Sequence, residues 1–187
     1  IDGNLTVNAD FTNLKNMTIN EDVILTSTVA NNFDANGLNI QGELVIAEGA
    51  QAQLASLNMV ANSVNGPKVN LSNSTVKAII TKRNNVVITS NNKLPELKVA
   101  ANVSSIELNA NVEKVTVSES ETLQIKGSAS IDNMDVQQAT NLDLAVTGSV
   151  KQLDVANANA KVSLGENVAV EKLVVPTDSN ISTIIND

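Results

Sequence analysis

The sequence contains no histidine, cysteine, tryptophan or tyrosine, and each absence removes a class of chemistry. Without histidine there is no Ser-His-Asp triad, no imidazole acid or base and no His-ligated metal. Without cysteine there are no disulfides, no reactive thiols and no cysteine-based zinc site. The only aromatic residues are Phe11 and Phe33, so the aromatic platforms on which sugar rings stack are scarce. A carbohydrate-processing enzyme is therefore disfavoured.

Positive charge is also scarce, since 12 basic residues face 20 acidic ones and the net charge is -8. This balance argues against binding to nucleic acids or to anionic membrane surfaces. No apolar run approaches the roughly 18 residues of a membrane-spanning helix, so we expect no membrane insertion. The single arginine, Arg83, lies in the segment KRNN and is expected to be a solvated turn residue.

The apolar residues that are present are mostly valine, leucine, isoleucine and alanine. Side chains of one size class suit an interior in which the same position is filled again and again. Asparagine occurs 28 times. Because asparagine tolerates left-handed backbone and hydrogen-bonds within tight turns, this abundance indicates many similar bends.

Two short patterns of apolar residues (h) alternate along the chain. The longer, h-x-x-h-x-h, occurs at Leu14/Met17/Ile19, Ala35/Leu38/Ile40, Leu54/Leu57/Met59, Val76/Ile79/Thr81, Leu94/Leu97/Val99, Val112/Val115/Val117, Ile131/Met134/Val136, Val150/Leu153/Val155 and Val170/Leu173/Val175. The shorter, h-x-h, occurs at Leu5/Val7, Val23/Leu25, Leu44/Ile46, Val69/Leu71, Val86/Ile88, Ile106/Leu108, Leu123/Ile125, Leu142/Leu144 and Val162/Leu164. From Val112 to Ile131 and from Ile131 to Val150 the step is 19 residues. This regular spacing predicts a repeat protein.

Alternating apolar positions and short segments favour strands, and the repeat leaves no room for a helix of usual length. The predicted fold is all-β: a right-handed parallel β-helix of about nine to ten rungs, with roughly 19 residues per rung, covering residues 1–187 as a single domain. Each rung then stacks on the next at about 4.8 Å. The predicted core ladder consists of Val112, Val115, Val117, Ile131, Met134, Val136, Val150, Leu153, Val155, Val170, Leu173 and Val175.

Two other solenoid folds fit the sequence less well. A leucine-rich repeat fits "LPELKVAAN", but the asparagine that this repeat needs is replaced elsewhere. In the other copies of the repeat, the position of this asparagine is occupied by Asp22, Glu43, Ser120, Ala139, Ala158 and Asp178. A left-handed β-helix needs strict six-residue units, whereas the inward positions 144, 150, 155 and 162 are spaced by 6, 5 and 7 residues.

Irregular segments interrupt the repeat. The widest lies between Ile46 and Val69, and we expect a protruding loop at residues 60–68 with a turn at Gly66-Pro67. Such a loop is either a contact site or a neutral insertion. A second bulge is expected at residues 31–37.

Carboxylates are the remaining candidates for chemistry. Asp135 and Asp154 should face outward on successive rungs, and Asp143 is the outward residue of a shorter strand. Stacked Asp135 and Asp154 would lie about 5 Å apart, near the separation in a retaining glycosidase, or could contribute to a Ca²⁺ site. The alternative, which we favour, is a pair of solvated acids, since Ca²⁺ needs six to eight oxygens. No catalytic residue and no cofactor are assigned.

A neighbouring column contains side chains of both charges, namely Glu113, Asp132, Lys151 and Glu171. This column is expected to support pairing between rungs.

The segments "GNLTVNADFTNLKNMTINEDVIL" and "TGSVKQLDVANANAKVSLGENVAVEKLVV" resemble β-helical regions of bacterial surface proteins, mostly from Gram-positive bacteria, that carry S-layer homology modules. The opening of that pattern is matched by Gly3, Asn4, Leu14, Asn16 and Thr18, and the repeat by Val150, Leu153 and Val155. The chain departs from the pattern in being poorer in glycine and in having no S-layer homology module. The resemblance implies an exported, wall-associated β-helix that serves as a stalk, spacer or assembly unit.

These observations lead to a functional expectation. The chain is expected to be an extracellular structural protein without catalytic activity, and part of a larger exported protein. Its expected partners are a second copy joined end to end, neighbouring domains, and a cell-wall polymer bound by modules outside this sequence. We also expect the solenoid ends to carry no capping element. Two alternatives stay open: a module that binds a polysaccharide or a protein through the 60–68 loop or the acidic face, and an enzyme that uses Asp135 and Asp154.

Overall fold

The computed structural model describes residues 1–49 and 66–186, which form 20 short strands and one short helix. In chain order they are β1 (Leu5–Val7), β2 (Thr12–Lys15), β3 (Thr18–Ile19), β4 (Val23–Leu25), β5 (Asn32–Asn36), β6 (Asn39–Ile40), β7 (Glu43–Ile46), β8 (Lys68–Ser72), β9 (Ala78–Thr81), β10 (Val86–Ser90), β11 (Leu94–Val99), β12 (Ser105–Asn109), β13 (Val112–Val117), β14 (Thr122–Gly127), β15 (Ile131–Val136), β16 (Asn141–Val146), β17 (Gly148–Val155), β18 (Lys161–Leu164), β19 (Val168–Val174), α1 (Ile181–Ile184) and β20 (Ile185–Asn186).

These strands form two nine-stranded parallel sheets and one small one. The front sheet has the order β1-β4-β7-β9-β11-β13-β15-β17-β19, and the back sheet has the order β2-β5-β8-β10-β12-β14-β16-β18-β20. The corner sheet pairs β3 with β6. One front strand and one back strand make each turn, so the chain winds through nine turns. The predicted all-β parallel β-helix is confirmed.

The core ladder is also confirmed in its register. Ile131, Met134 and Val136 pair with Val150, Leu153 and Val155, and the preceding turn pairs in the same way. These nine side chains of the turns at 112, 131 and 150 are at most 2% exposed. In the last turn Val170 and Leu173 follow in register, but Val170, Leu173 and Val175 are only partly buried. They pack against a neighbouring turn on one side only, within the described residues.

A repeated irregularity explains the longer apolar pattern. Strict alternation would place residues three apart on opposite faces. In β11, β13, β15, β17 and β19 the residue after the first apolar position is left out of the ladder, so both apolar residues point inward. These omitted residues are Pro95, Glu113, Asp132, Lys151 and Glu171. Proline is tolerated inside β11 because this position donates no ladder hydrogen bond.

The first two copies of the longer pattern do not lie in the front sheet, where the later described copies lie. Leu14 pairs with Ala35, and Ala35 with Leu71, all in the back sheet. The apolar residues that follow, Ile19 and Ile40, belong to the corner sheet. In these turns the chain makes an additional corner, so a similar apolar spacing follows a different path around the core.

The shorter pattern also shifts by two residues between some turns. Ile106 pairs with Ile125, not with Leu123, and Val69 pairs with Ile88, not with Val86. A shift of two keeps every apolar side chain on the inner face, whereas a shift of one would turn them all outward. The bends can therefore differ in length without disturbing the core.

Three further expectations are corrected or fall outside the structure. Residues 32–36 form β5, and Phe33 is fully buried, so no bulge lies there. The last turn carries α1, which buries Ile184 against the core, so this turn has a partial cap that the sequence analysis missed. The repeat copy at Leu54, Leu57 and Met59, and most of the 60–68 loop, lie outside the described residues.

Replacing a fully enclosed ladder residue should cost far more than replacing its counterpart in the last turn. We expect Leu153→Ala to lower the free energy of unfolding by about 2–5 kcal/mol, the range for a buried leucine that leaves a cavity. Leu173→Ala, one turn further on, is the matched control and should cost less because Leu173 is already partly exposed. Urea denaturation followed by circular dichroism measures both. Equal losses would contradict the enclosed ladder.

Candidate functional site

Asp135 and Asp154 lie side by side on the outer face of the front sheet, as predicted. Asp143 does not join them, because it lies in the back sheet between Gln124 and Ser163. Among residues 1–49 and 66–186, no group of three or more acidic side chains is placed to hold a metal ion. The three aspartates therefore cannot form one Ca²⁺ site as they stand.

Each of these carboxylates already accepts hydrogen bonds from a glutamine. Gln137 Nε2 donates to Asp135 Oδ2 at 2.8 Å, and Gln152 Nε2 donates to both oxygens of Asp154 at 2.9 Å. On the other face Gln124 Nε2 donates to Asp143 Oδ2 at 2.7 Å, across adjacent turns. The three aspartates are therefore engaged in hydrogen bonds that hold neighbouring side chains on the sheet surfaces.

The column of mixed charge forms ion pairs between turns, as predicted. Lys151 Nζ lies 2.8 Å from Asp132 Oδ1, and Lys93 contacts the other carboxylate oxygen. Hydrogen bonds from Lys151 and Lys93 lower the pKa of Asp132, and Asp132 in turn raises the pKa of Lys151. Three turns are thereby joined at this corner, although exposed pairs of this kind stabilise only modestly.

A second ion pair crosses the front sheet nearer the first turns. Lys98 Nζ lies 2.9 Å from Glu43 Oε1 and 3.7 Å from Glu96 Oε2. The hydrogen bond with Glu43 is the main cause that raises the pKa of Lys98. Because Glu43 is on β7 and Lys98 on β11, this pair bridges β9, which lies between them.

Arg83 is the residue that sequence analysis placed wrongly. It is only 5% exposed, and its guanidinium points into the bend between the front and back sheets. Nη1 donates to the carbonyl of Val29 at 2.5 Å, Nη2 to that of Thr26 at 2.9 Å, and Nε to that of Ala47 at 2.9 Å. A longer contact of 3.4 Å joins Nη2 to the carbonyl of Glu48.

These contacts tie three turns together beside the longest insertion. Thr26 and Val29 follow β4, Ala47 and Glu48 follow β7, and Arg83 itself follows β9. Arg83 therefore fixes the bends that follow three consecutive strands of the front sheet. Burial lowers the pKa of Arg83, while the charge of Asp10 opposes that shift. Arginine keeps its proton in proteins, so the side chain acts as a fixed cluster of donors.

One signal in the sequence could have found Arg83. The position shortly before each later back strand holds a small, buried residue, namely Val103, Ser120, Thr140 and Ala160. Ser120 and Thr140 donate from their hydroxyls to carbonyls of the preceding turn at 3.0 and 2.7 Å. Arg83 occupies the equivalent position and performs the same task with a longer reach.

Asp10 performs a related task in the first bend. Its Oδ1 accepts hydrogen bonds from the backbone N–H groups of Asn31 and Asn32 at 2.8 and 3.0 Å. Partial desolvation alone would raise the pKa of Asp10, but these bonds and those from the Asn31 side chain and Phe11 N–H lower it to about 2. The carboxylate therefore caps the next turn in its charged form.

Asparagine side chains repeat this arrangement along the bends. Asn4, Asn109 and Asn111 accept hydrogen bonds from backbone N–H groups one turn later, at 2.9, 3.0 and 3.1 Å. Four other asparagines adopt positive φ, as expected for tight bends: Asn16, Asn73, Asn85 and Asn102. No buried side-chain nitrogen or oxygen lacks a partner in the described part of the chain. Asparagine thus closes its own bend in some places and caps the next turn in others.

An open groove of about 480 Å³ lies on the outer face of the back sheet. Gly66, Lys68, Glu107 and Lys126 are among its lining residues. Of the predicted 60–68 loop, only residues 66–68 are described, and Gly66 and Lys68 line this groove.

Comparison with known proteins gives no match: no protein family, no curated protein and no solved structure is significantly similar to this chain. Within the described ranges, α1 is the one helix, and it is far too short to cross a membrane. The resemblance to bacterial surface proteins therefore stays a prediction.

Removing the guanidinium of Arg83 should destabilise the chain strongly. Arg83→Met fills similar space but leaves several buried carbonyls without donors, so we expect a loss of about 3 kcal/mol or more. Lys82→Met is the matched control, because Lys82 is the exposed neighbour and its replacement should change stability by no more than about 0.5 kcal/mol. Chemical denaturation of both variants provides the comparison. Similar values for the two would show that the carbonyl contacts contribute little.

Proposed function

We propose that this chain is a structural protein of the bacterial cell surface, in which the β-helix acts as a rigid spacer or stalk without catalytic activity. The supporting observation is how the outward polar side chains are used. Many of these side chains join different turns. They include the ion pairs of Asp132 and Lys98, the side-chain hydrogen bond of Gln124, and the caps by Asp10 and Asn111. Polar contacts between turns stiffen the solenoid, as a protein that serves as a rigid spacer requires.

The dimensions suit a spacer. Nine turns stacked at about 4.8 Å give a rod of about 40 Å. Hydrogen bonds between strands run along this axis, and the buried apolar residues that the structure describes form one core from Val7 to Ile184. A load along the rod is therefore carried by backbone hydrogen bonds and by the packing of each turn on the next.

The proposed location and partners of the rod rest on the resemblance to bacterial surface proteins. We propose an extracellular, wall-associated position, with attachment to a cell-wall polymer through modules outside this sequence. The rod would make its structural contacts through its ends, with neighbouring domains or with a second copy. The acidic surface, with a net charge of -8, supports the exclusion of nucleic acids as partners.

A spacer should shorten by one step when one turn is removed. Deleting residues 112–130 joins Asn111 to Ile131, which occupies the ladder position of Val112. With dyes on Asn13→Cys and Ser163→Cys, we expect the dye separation to be narrowly distributed and to fall by about 5 Å. The native chain has no cysteine, so labelling is specific.

Deletion of residues 121–130 is the control. It removes β14 from the back sheet, so β13 keeps its place in the front sheet but loses the back strand that completes its turn. That variant should lose cooperative unfolding. A broad distribution of dye separations in the native chain would contradict the spacer function, whatever the deletion does.

The proposed location has a separate test. Antibodies against the chain should label intact cells of the native host as strongly as permeabilised ones. Labelling that requires permeabilisation would exclude the cell surface. An antibody against a cytoplasmic protein, applied to the same cells, controls for leakage.

A further inference from the structure

The groove on the outer face of the back sheet follows the axis of the rod. Four of its lining residues lie in register on successive strands: Lys68 pairs with Val87, Val87 with Glu107, and Glu107 with Lys126. Their side chains point outward, because each alternates along its strand with buried residues such as Ile88. At about 4.8 Å per strand, this row is about 14 Å long from its first lysine to its last.

Bends that lead into the back strands form the other side of the groove. Asn31, Gly66 and Asn85 lie in three consecutive bends, and Ser105 is the first residue of β12. From Asn31 to Lys126 the lining extends over five turns, or about 19 Å along the rod. The volume of about 480 Å³ lies in the range of ordinary ligand sites. This length and volume suit a single extended chain that lies parallel to the rod axis.

The two lysines give the groove a positive charge that is only partly compensated. Lys68 belongs to none of the ion pairs between described residues, and residues 50–65 contain no aspartate or glutamate. Lys126 Nζ lies 3.9 Å from Glu107 Oε2, and the Lys126 side chain is 54% exposed. Glu107 in turn accepts a hydrogen bond from Asn109 Nδ2 at 2.9 Å. An anionic ligand therefore finds two ammonium groups, although the whole chain has a net charge of -8.

The surroundings of the groove narrow the class of ligand. A peptide cannot add here as an extra strand, because β8, β10, β12 and β14 are each paired with a strand on both sides. A ligand must be held by side chains, which offer ammonium, amide and hydroxyl groups. These groups bind carboxylates and hydroxyls, and the bonds to carboxylates are the stronger ones. None of the described lining residues is aromatic, so affinity for a sugar chain has to come from charge.

We propose that this groove binds a linear polysaccharide that carries carboxylates, with the sugar chain parallel to the rod axis. Lys68 and Lys126 bind carboxylates of two sugar residues, and Asn85 and Ser105 bind hydroxyls of the residues between them. A sugar residue in an extended chain is about as long as one turn is high, so successive sugars meet successive turns. This inference goes beyond the spacer function and does not rest on it.

Titration with tetragalacturonate, an acidic chain of four sugars, tests the site. NMR spectra of the full chain should show saturable shifts at the amides of Asn85, Ser105 and Lys126. Binding should weaken as salt is added, because salt screens the charges. The methyl ester of the same tetrasaccharide has no charge and should bind about tenfold more weakly or worse. Tetraglutamate has the charges without the sugars and should leave Asn85 and Ser105 unshifted.

Lysine variants test which charges hold the ligand. Lys68→Gln and Lys126→Gln each remove one charge-assisted contact and should weaken binding of tetragalacturonate by about tenfold. Lys114→Gln is the matched control, because Lys114 is an exposed lysine on β13 in the front sheet, outside the groove. This control should bind like the native chain. All three variants should keep the native circular dichroism, since the replaced side chains are exposed.

A steric variant tests the position of the sugar chain independently of charge. Val87→Phe fills the middle of the groove, and a strand tolerates phenylalanine at an outward position. We expect this variant to fold normally and to lose the shifts at Asn85 and Ser105. Unchanged shifts in a folded Val87→Phe chain would show that the ligand does not lie in the groove.

Three further outcomes overturn the inference: equal affinity for the acid and its methyl ester, unchanged affinity in both groove lysine variants, and no saturable shift at the highest soluble concentration of tetragalacturonate. None of these outcomes affects the rigid spacer, whose test is the dye separation within one chain. A broad dye distribution would reject the spacer and leave the ligand assignment of the groove intact.

Discussion

The structure depends on one constraint: every turn must match the turn before it at a strand spacing of about 4.8 Å. At that distance a side chain's nearest neighbours are the residues one turn above and one turn below, not its neighbours in sequence. Val150, Leu153 and Val155 are buried because Ile131, Met134 and Val136 are there to receive them. The same rule explains the plain composition of the interior. Residues of similar size stack without steps, so aromatic side chains are nearly absent and Phe33 is the one ring within the described core.

Much of the fold was predictable because its signal is local and repeated. The 19-residue steps from Val112 to Val150 and the alternation inside each strand were sufficient to predict the parallel ladder. Leu14 and Ala35 have the same apolar spacing as the later copies but lie in the other sheet. The reason is physical: apolar spacing reports which residues face inward, but not which corner of the solenoid the chain is turning. The two-residue shift at Ile106 was invisible for a related reason, since an even shift leaves the pattern of inward residues unchanged.

The polar side chains were harder to predict, because their partners lie a full turn or more away. Asp135 and Asp154 could be placed next to each other from the repeat alone, and the ion pair of Asp132 with Lys151 follows from the same register. Arg83 could not be placed in that way. Its four carbonyl partners belong to bends 35 to 57 residues earlier, and the repeat of apolar residues does not report how the bends are placed. From the sequence alone, a single arginine near a wide insertion is expected to be a solvated turn residue. Only the three-dimensional arrangement of the bends shows that its guanidinium is buried.

The Arg83 contacts also have a mechanical consequence. A force that pulls on the two ends of the polypeptide loads a parallel solenoid like a zipper, opening one turn's backbone hydrogen bonds at a time. Peeling from the first turn would proceed through β1 and then meet the bend after β4, where Thr26 and Val29 are held by a side chain from two turns further on. The next turn cannot leave alone, because Arg83 also holds Ala47. The force needed to separate successive turns is therefore uneven along the rod, and it is expected to be highest where Arg83 holds the bends together.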